Sequence, residues 1–267
     1  MKKYFKSLSL VVILGLVACS GRSISKAEAI EILESIEAKE KTDEIDSANV
    51  WKFQRKTERT AIYYRSGETT VVTTDNWILE VDKNARQSHY KTSQKITGGN
   101  KYDSFYEYWT YLEDQKFYIL ANDNNEKTYF TIDAGQDFDE TFESINGLLL
   151  ALVYYVMPTY SAETVKNALL KLDGDTSTYD VKSETYKTKG DGNVTLEVSL
   201  VYKTDSNIST SFKFVYDDYQ FVSYHSTSHS ASKYDDTTDK EDTSMTYGKV
   251  KISFPKLADF TLKFPNE

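Results

Sequence analysis

Few side chains in this sequence have the types and spacing that catalysis or metal binding requires. Its 267 residues include three histidines, His89, His225 and His229, and a single cysteine, Cys19. His225 and His229 would share one strand face, but a zinc site needs further ligands and no cysteine lies near them. With so few bases and no G-x-S-x-G motif, a Ser-His-Asp triad is not indicated. We therefore expect a protein that is not an enzyme and uses no metal or cofactor.

Cys19 is the residue whose chemistry the sequence defines best. Three lysines in the first six residues precede an apolar run of about ten, which is typical of a signal peptide and is shorter than the roughly 20 residues that span a bilayer. The tetrapeptide Leu16-Val17-Ala18-Cys19 resembles the lipobox of bacterial lipoproteins. That resemblance implies that residues 1–18 are removed and that a diacylglyceryl group is attached to the Cys19 sulfur.

The expected acyl chains define where the protein resides. Two chains are generally enough for stable attachment to a bilayer. The predicted location is the cell envelope, at the outer face of the cytoplasmic membrane, or at the outer membrane if the organism has two membranes. Residues 19–24 would form a short flexible lipidated tether, and residues 25–267 a single folded domain.

Charge and composition limit the remaining classes of partner. The formal net charge is −9, and it becomes −12 once residues 1–18 are removed, because they carry three lysines and no acid. So acidic a domain repels nucleic acid, which makes DNA or RNA an improbable partner. Tyrosine supplies 21 of the 37 aromatic residues, and tyrosine-rich chains favour sheet.

Three helices are predicted from the residues at their starts, Ser25, Asp137 and Ser161. The first fades at 39–41, the second ends at Pro158 and the third at Gly174.

Alternating polar and apolar residues predict strands in two blocks. In the first block they lie at 50–57, 60–65, 69–74, 77–81, 88–93, 105–112, 116–121 and 127–133, with a turn at 75–76. The second block covers about 179–264, and within it the acidic segment 234–244 is interpreted as a mobile loop. This order predicts an α+β fold, in which a strongly curved antiparallel sheet or incomplete barrel carries helices on its concave face.

The order of the elements, together with the lipobox, resembles the lipoprotein-carrier fold of the LolA and LppX/LprG group. In that fold a half-barrel and its covering helices enclose a cavity for acyl chains. The resemblance implies that the present chain binds a hydrophobic small molecule or lipid.

Two segments are the candidate walls of such a cavity. Residues 148–157 are apolar on every side of the second helix, which indicates either a central core helix or the wall of a pocket. The strand 105–112 is rich in aromatic residues on both faces. The predicted wall residues are Phe142, Leu149, Leu152, Val153 and Val156 on the helix, with Trp109 and Tyr111 across from them.

A second hypothesis assigns the surplus of tyrosines to the outer surface. The protein would then be a non-catalytic interaction module that contacts a partner protein or the cell wall through exposed aromatic side chains. It would have a filled interior and a contiguous aromatic patch on the outside.

Overall fold

The computed structural model describes residues 21–40, 49–65, 67–172, 174, 178–248 and 250–263, with only the backbone described at 148–150 and 152–155. The signal peptide, the lipobox and Cys19 lie outside the described residues.

Thirteen described strands form one sheet. The strands before the helices are β1 (Arg22–Ser23), β2 (Val50–Tyr63), β3 (Thr69–Asp82), β4 (Gln87–Thr97), β5 (Tyr102–Glu113), β6 (Lys116–Asp123) and β7 (Glu126–Asp133). The strands after the helices are β8 (Tyr179–Gly190), β9 (Asn193–Tyr202), β10 (Asp205–Asp217), β11 (Gln220–Ala231), β12 (Asp235–Tyr247) and β13 (Thr261–Leu262).

Three α-helices complete the described fold. They are α1 (Lys26–Glu40), α2 (Phe138–Val156) and α3 (Ala162–Leu172), and a 3₁₀ turn, Met157–Tyr160, joins α2 to α3. Each begins at its predicted cap: the Ser25 hydroxyl accepts from the Glu28 amide, Asp137 from the Glu140 amide, and Ser161 from the Thr164 amide. None of the described helices is long and apolar enough to cross a bilayer.

Two antiparallel meanders, β2–β7 and β8–β12, join through the pairing of β12 with β2. The strand order is β1-β8-β9-β10-β11-β12-β2-β3-β4-β5-β6-β7-β13, and only β13 pairs in parallel, with β7. In the described part, β1 and β13 form the two ends and do not pair with each other. The result is a large, curved, unclosed sheet with three described helices, which confirms the predicted α+β class and the predicted curved, incomplete sheet.

One face of the sheet, the helix-side face, carries the main core. Alternate strand residues such as Phe53, Leu79, Leu196 and Phe214 pack there with residues of all three helices. The opposite face, here the helix-free face, carries a smaller cluster around Trp109 and Leu120, which residues 250–263 cover through Phe260 and its neighbours.

Three sequence-based predictions about local structure are wrong. The predicted mobile loop 234–244 belongs to strand β12, because β11 and β2 pair with it on both sides and match its charges, as in the Arg55–Glu241 pair. The predicted turn at 75–76 lies inside β3. In the predicted tether, Arg22 and Ser23 form β1 on the edge of β8.

Candidate functional site

The structure separates the predicted wall residues into two groups. Phe142 is buried in the main core, with its ring 6.1 Å from that of Phe117, and Val156 packs against the same core. Leu149, Leu152 and Val153 lie in α2, but their side chains are outside the described part.

Trp109 and Tyr111 do not lie across from α2. Both project from β5 onto the helix-free face, where Trp109 meets Phe260 and Tyr111 stacks on Tyr118 with ring centroids 5.1 Å apart. The reason is strand alternation: the β5 residues that share a face with the helices are Tyr106, Tyr108, Thr110 and Leu112. These two residues therefore cannot form the wall opposite Phe142.

Helix α2 spans the width of the central sheet. Near its start, Phe142 packs on Phe117 of β6, and at its midpoint Asn146 accepts from the Ser88 hydroxyl of β4 at 2.6 Å. Just beyond its end, Tyr160 stacks on Phe221 of β11 at 4.9 Å. Nineteen residues of helix extend about 28 Å, enough to cross the five strand spacings, about 24 Å, from β6 to β12. The apolar segment 148–157 thus crosses in front of the central strands.

Under this helix, helix-side residues directly opposite one another form three successive rows across the strands. The row nearest α1 and α3, the apolar row, consists of Met245, Phe53, Leu79, Tyr90 and Tyr108. The next, the middle row, consists of Phe214, Tyr224, Thr243, Arg55 and Trp77. The third, the polar row, consists of Ser226, Glu241, Thr57, Asp75 and Gln94.

Polarity increases from the first row to the third. Met245, Phe53 and Leu79 are each no more than 3% exposed, so the apolar row is part of the core. In the middle row, Trp77 is half-buried next to Arg55, and Tyr224 is half-buried on the far side of Thr243. Every side chain of the polar row carries a hydrogen-bonding oxygen. The helix-side face therefore has an amphipathic surface that runs along the strands.

A hydrogen-bonded cluster connects the middle and polar rows. Arg55 donates from Nε and Nη2 to the two carboxylate oxygens of Glu241, at 3.0 and 3.3 Å. The Tyr160 hydroxyl donates to Glu241 at 2.5 Å and lies 3.1 Å from the Thr243 hydroxyl. Burial, and then the hydrogen bond to Glu241, raise the pKa of Tyr160, so it remains a proton donor at physiological pH.

A second set of hydrogen bonds centres on Asp75. Its carboxylate accepts from the Gln94 amide at 2.8 Å and from the Thr57 hydroxyl at 3.4 Å. Two rows away, in the apolar row, Tyr90 and Tyr108 stack with ring centroids 6.3 Å apart, and burial raises the pKa of both. The arrangement offers aromatic surface beside fixed polar groups, which suits a molecule with an apolar and a polar end.

Sequence reasoning did not select Arg55, Trp77, Tyr90 or Glu241. Trp77, Leu79 and Val81 occupy alternate positions of β3, so the sequence alone predicts that these three side chains share one face of the sheet. The pairing of Arg55 with Glu241 was not readable, because 186 positions separate them.

Two open depressions are present in the described part, and the middle-row residues Arg55, Trp77 and Tyr224 line the second of them. One, of about 590 Å³, lies beside the start of α2 and is bordered by Phe142, with the Lys83–Glu143 and Arg86–Asp139 ion pairs in its wall. The other, a groove of about 480 Å³ on the central strands, includes His225, whose Nδ1 lies 2.6 Å from Asp242. Among the described residues, no group of His, Cys, Asp and Glu side chains is arranged to hold a metal ion.

Comparisons with known proteins assign no family. No protein-family model and no curated protein matches the sequence. Among solved structures, the S-type phycobiliprotein lyase CPES from Guillardia theta is 7% identical, with 74% of this chain and 88% of that chain covered and a TM-score of 0.17. At that TM-score the likeness supports neither a shared fold nor a shared activity.

Proposed function

We propose that this protein is a lipid-anchored envelope protein that binds a lipid-like molecule between α2 and the helix-side face of the sheet. The observation that carries the proposal is the change from the apolar row to the polar row beneath a helix whose segment 148–157 is apolar throughout. We place the ligand on the concave side of the sheet and assign it a binding role without catalysis.

The two ends of such a ligand would meet different chemistry. An acyl chain would lie against the apolar row and α2, where each buried methylene contributes about 0.8 kcal/mol. Its polar end would lie over the middle and polar rows, within reach of Arg55, Gln94 and the Tyr160–Glu241 pair. Phe142, Leu149, Leu152, Val153 and Val156 remain the proposed wall on the helix.

The binding test compares two tyrosines on opposite faces of the sheet. Tyr90 stacks on Tyr108 on the helix-side face, and Tyr118 stacks on Tyr111 on the helix-free face. Titration with a long-chain fluorescent fatty acid should show Tyr90→Ala weakening the Kd about tenfold, equivalent to the loss of about 1.4 kcal/mol of contact. Tyr118→Ala should leave the Kd unchanged.

Native mass spectrometry of the purified mature domain should also show bound lipid. A ligand-free protein that does not bind the fatty acid would overturn the binding proposal. Equal weakening by Tyr90→Ala and Tyr118→Ala would place the ligand elsewhere.

The anchoring proposal rests on the lipobox and has its own test. We assign Cys19 as the lipidated residue and the membrane as a partner, at the outer face of the cytoplasmic membrane or at an outer membrane. Cys19→Ser should move the protein from the membrane fraction to the soluble fraction, because one sulfur carries both acyl chains. Unchanged membrane attachment of Cys19→Ser would contradict this assignment.

One observation favours the alternative function, a surface interaction module. Tyr63, Tyr64 and Tyr234 lie together where the β2–β3 and β11–β12 connections meet, and each is more than 40% exposed. The Arg65 guanidinium lies 4.2 Å above the Tyr234 ring. Exposed tyrosines beside arginine are typical of binding surfaces. If Tyr64→Ala with Tyr234→Ala abolishes binding to isolated cell walls and fatty-acid binding is absent, this alternative is favoured.

A further inference from the structure

The chain becomes part of the folded sheet immediately after the predicted anchor. In β1, Arg22 pairs with Thr188 and Ser23 with Lys187 of β8, and the Ile24 amide donates to the Tyr186 carbonyl at 3.0 Å. Gly21 has a φ of +74°, and a Cβ there would lie 2.8 Å from the Thr188 carbonyl oxygen. A glycine is therefore required where the chain meets β8.

So short a connection holds one corner of the sheet at the bilayer. One residue, Ser20, separates Cys19 from Gly21, and the two residue steps between them cover at most about 7 Å of extended chain. If Cys19 carries its acyl chains in the bilayer, the β1 edge and the β8–β9 turn lie at the level of the lipid headgroups.

This corner has two lysines in an otherwise acidic protein. Lys187 and Lys189 are exposed at alternate positions of β8, and Lys189 lies beside Gly21. Neither forms an ion pair within the described residues, whereas the neighbouring Arg22 is paired with Glu28 at 3.2 Å. The nearby Asp191, in the turn, carries the opposing charge. A lysine close to an anionic membrane surface is attracted to it, and the attraction falls off within a Debye length.

We propose that the corner formed by β1 and the β8–β9 turn docks on anionic lipid headgroups through Lys187 and Lys189. This inference rests on the proposed lipid anchor and adds a fixed orientation to it. The overall negative charge repels the rest of the body from such a surface, while the two lysines hold this corner against it.

The orientation assigns the two ends of the sheet to different surroundings. The turns at 82–87, 113–116, 189–192 and 217–220 share the end where the chain enters β1. Strands β2 and β3 have 14 residues each and extend about 46 Å toward the opposite end. The apolar row would therefore lie nearer the bilayer than the polar row, and the tyrosines at 63, 64 and 234 would lie farthest from it.

The test places a fluorophore at each end of the full-length acylated protein in anionic vesicles. Because Cys19 is the only cysteine and its sulfur is acylated, a cysteine introduced by Asp191→Cys or Lys233→Cys is the only free thiol. A nitroxide on the lipid headgroup should quench the label strongly at position 191 and very weakly at position 233. Similar quenching at both positions would overturn the proposal.

The lysines are tested by removing their charge and comparing the result with a control variant of the same net charge. In the Asp191→Cys background, Lys187→Gln with Lys189→Gln should reduce quenching at least twofold, and high salt should have the same effect. Lys101→Gln with Lys203→Gln removes the same charge from turns at the other end and should change nothing. Quenching that neither the lysine pair nor salt alters would refute the electrostatic docking.

Sedimentation with the vesicles separates this inference from the anchor. If Cys19→Ser still sediments and keeps its quenching at position 191, the docking stands and the anchor assignment fails. If the acylated protein sediments but the label at 191 is unquenched, the anchor stands and the docking fails. If neither the acylated protein nor Cys19→Ser sediments with the vesicles, the anchor and the docking both fail.

Discussion

The two aromatic clusters on opposite faces of the sheet are covered in different ways. The main core on the helix-side face is sealed by three helices and includes the stacked pair Tyr160 and Phe221. The smaller cluster on the helix-free face is sealed by residues 250–263, here called the C-terminal strap, through Phe260 and its neighbours. Helices satisfy their own backbone hydrogen bonds, whereas an extended strap must find partners elsewhere.

The cover on the helix-free face is the less complete of the two. Trp109 Nε1 and Asn122 Oδ1 are buried on that face with no hydrogen-bond partner in the described part. A buried polar atom left in this way costs about 1–3 kcal/mol. In the described part, the backbone of the strap pairs with the sheet only along β7, through β13 and the Lys263 amide. We therefore expect the strap to open before the helix layer does.

The largest effect that tests this comparison is expected in the main core. Phe117 is fully buried and its ring packs against Phe142 of α2. Phe117→Ala should lower the free energy of unfolding by about 3–5 kcal/mol, because it leaves a cavity between helix and sheet. Urea denaturation measures the change.

The matched control for Phe117 is Phe130 on the adjacent strand. Its ring is 36% exposed, so Phe130→Ala should cost less than about 1 kcal/mol. If the two variants lose the same stability, the helix layer does not seal this part of the sheet.

A smaller and more local effect is expected under the strap. Phe260 is 8% exposed and meets the Trp109 ring edge to face at 6.1 Å. Phe260→Ala should cost about 1–3 kcal/mol and release the strap while the main core stays folded. Hydrogen exchange should become faster in 250–263 and in β7, and remain unchanged in β9.

Leu262→Ala in the same strap serves as the control, since Leu262 is 41% exposed. It should leave the exchange rates nearly unaltered. Faster exchange throughout β9 in Phe260→Ala would show that the two faces unfold together, contrary to the comparison.

The distance along the chain between contacting residues explains which features could be predicted from the sequence. Helix starts were predicted correctly because the caps at Ser25, Asp137 and Ser161 act on amides within three residues. The strand character of 234–244 was missed because its charged residues are matched by a distant strand, β2: Lys240 pairs with Glu58, 182 positions away. Local patterns encode local contacts, and pairing between meanders is not among them.

Only part of the candidate site was predicted correctly from the sequence. Helix α2 was predicted correctly, and its Phe142 lies in the core as a helix face requires. Trp109 and Tyr111 were assigned to the wrong face because β5 is covered on both sides, with Trp109 and Thr110 both buried. When both faces are covered, alternation no longer tells which face meets the helices.

A pH-dependent effect of intermediate size is expected in the helix layer. The Glu40 carboxylate, at the end of α1, accepts from the Ala162 amide at the start of α3 at 3.1 Å. Burial raises the pKa of Glu40 from 4.5 to about 7. The folded protein therefore holds a proton there that the unfolded chain has lost, so stability falls as the pH rises from about 4.5 through 7.

The variant Glu40→Gln removes this titration and keeps an oxygen that can accept from Ala162. At pH 8 we expect it to be about 1–2 kcal/mol more stable than the wild type, after allowance for solvent screening. At pH 4.5 the two proteins should have equal stability, as measured by urea denaturation. A constant difference across this range would contradict the role of Glu40.

The helix-free face should respond to pH in the opposite direction. Glu80 lies 2.7 Å from His89 Nδ1 and 2.8 Å from Lys52 Nζ, and the hydrogen bond with His89, followed by the effect of Lys52, lowers the pKa of Glu80 below 4.5. Its contribution is present above pH 4.5 and is lost as the pH falls through the folded-state pKa. Glu80→Gln should therefore cost about 1 kcal/mol at pH 7 and progressively less in acid.

Urea denaturation of both variants at several pH values should show this contrast. The difference in unfolding free energy between variant and wild type should rise with pH for Glu40→Gln and fall with pH for Glu80→Gln. Slopes of the same sign would mean that burial under the helices and charge pairing on the helix-free face do not have opposite effects on the pH dependence of stability.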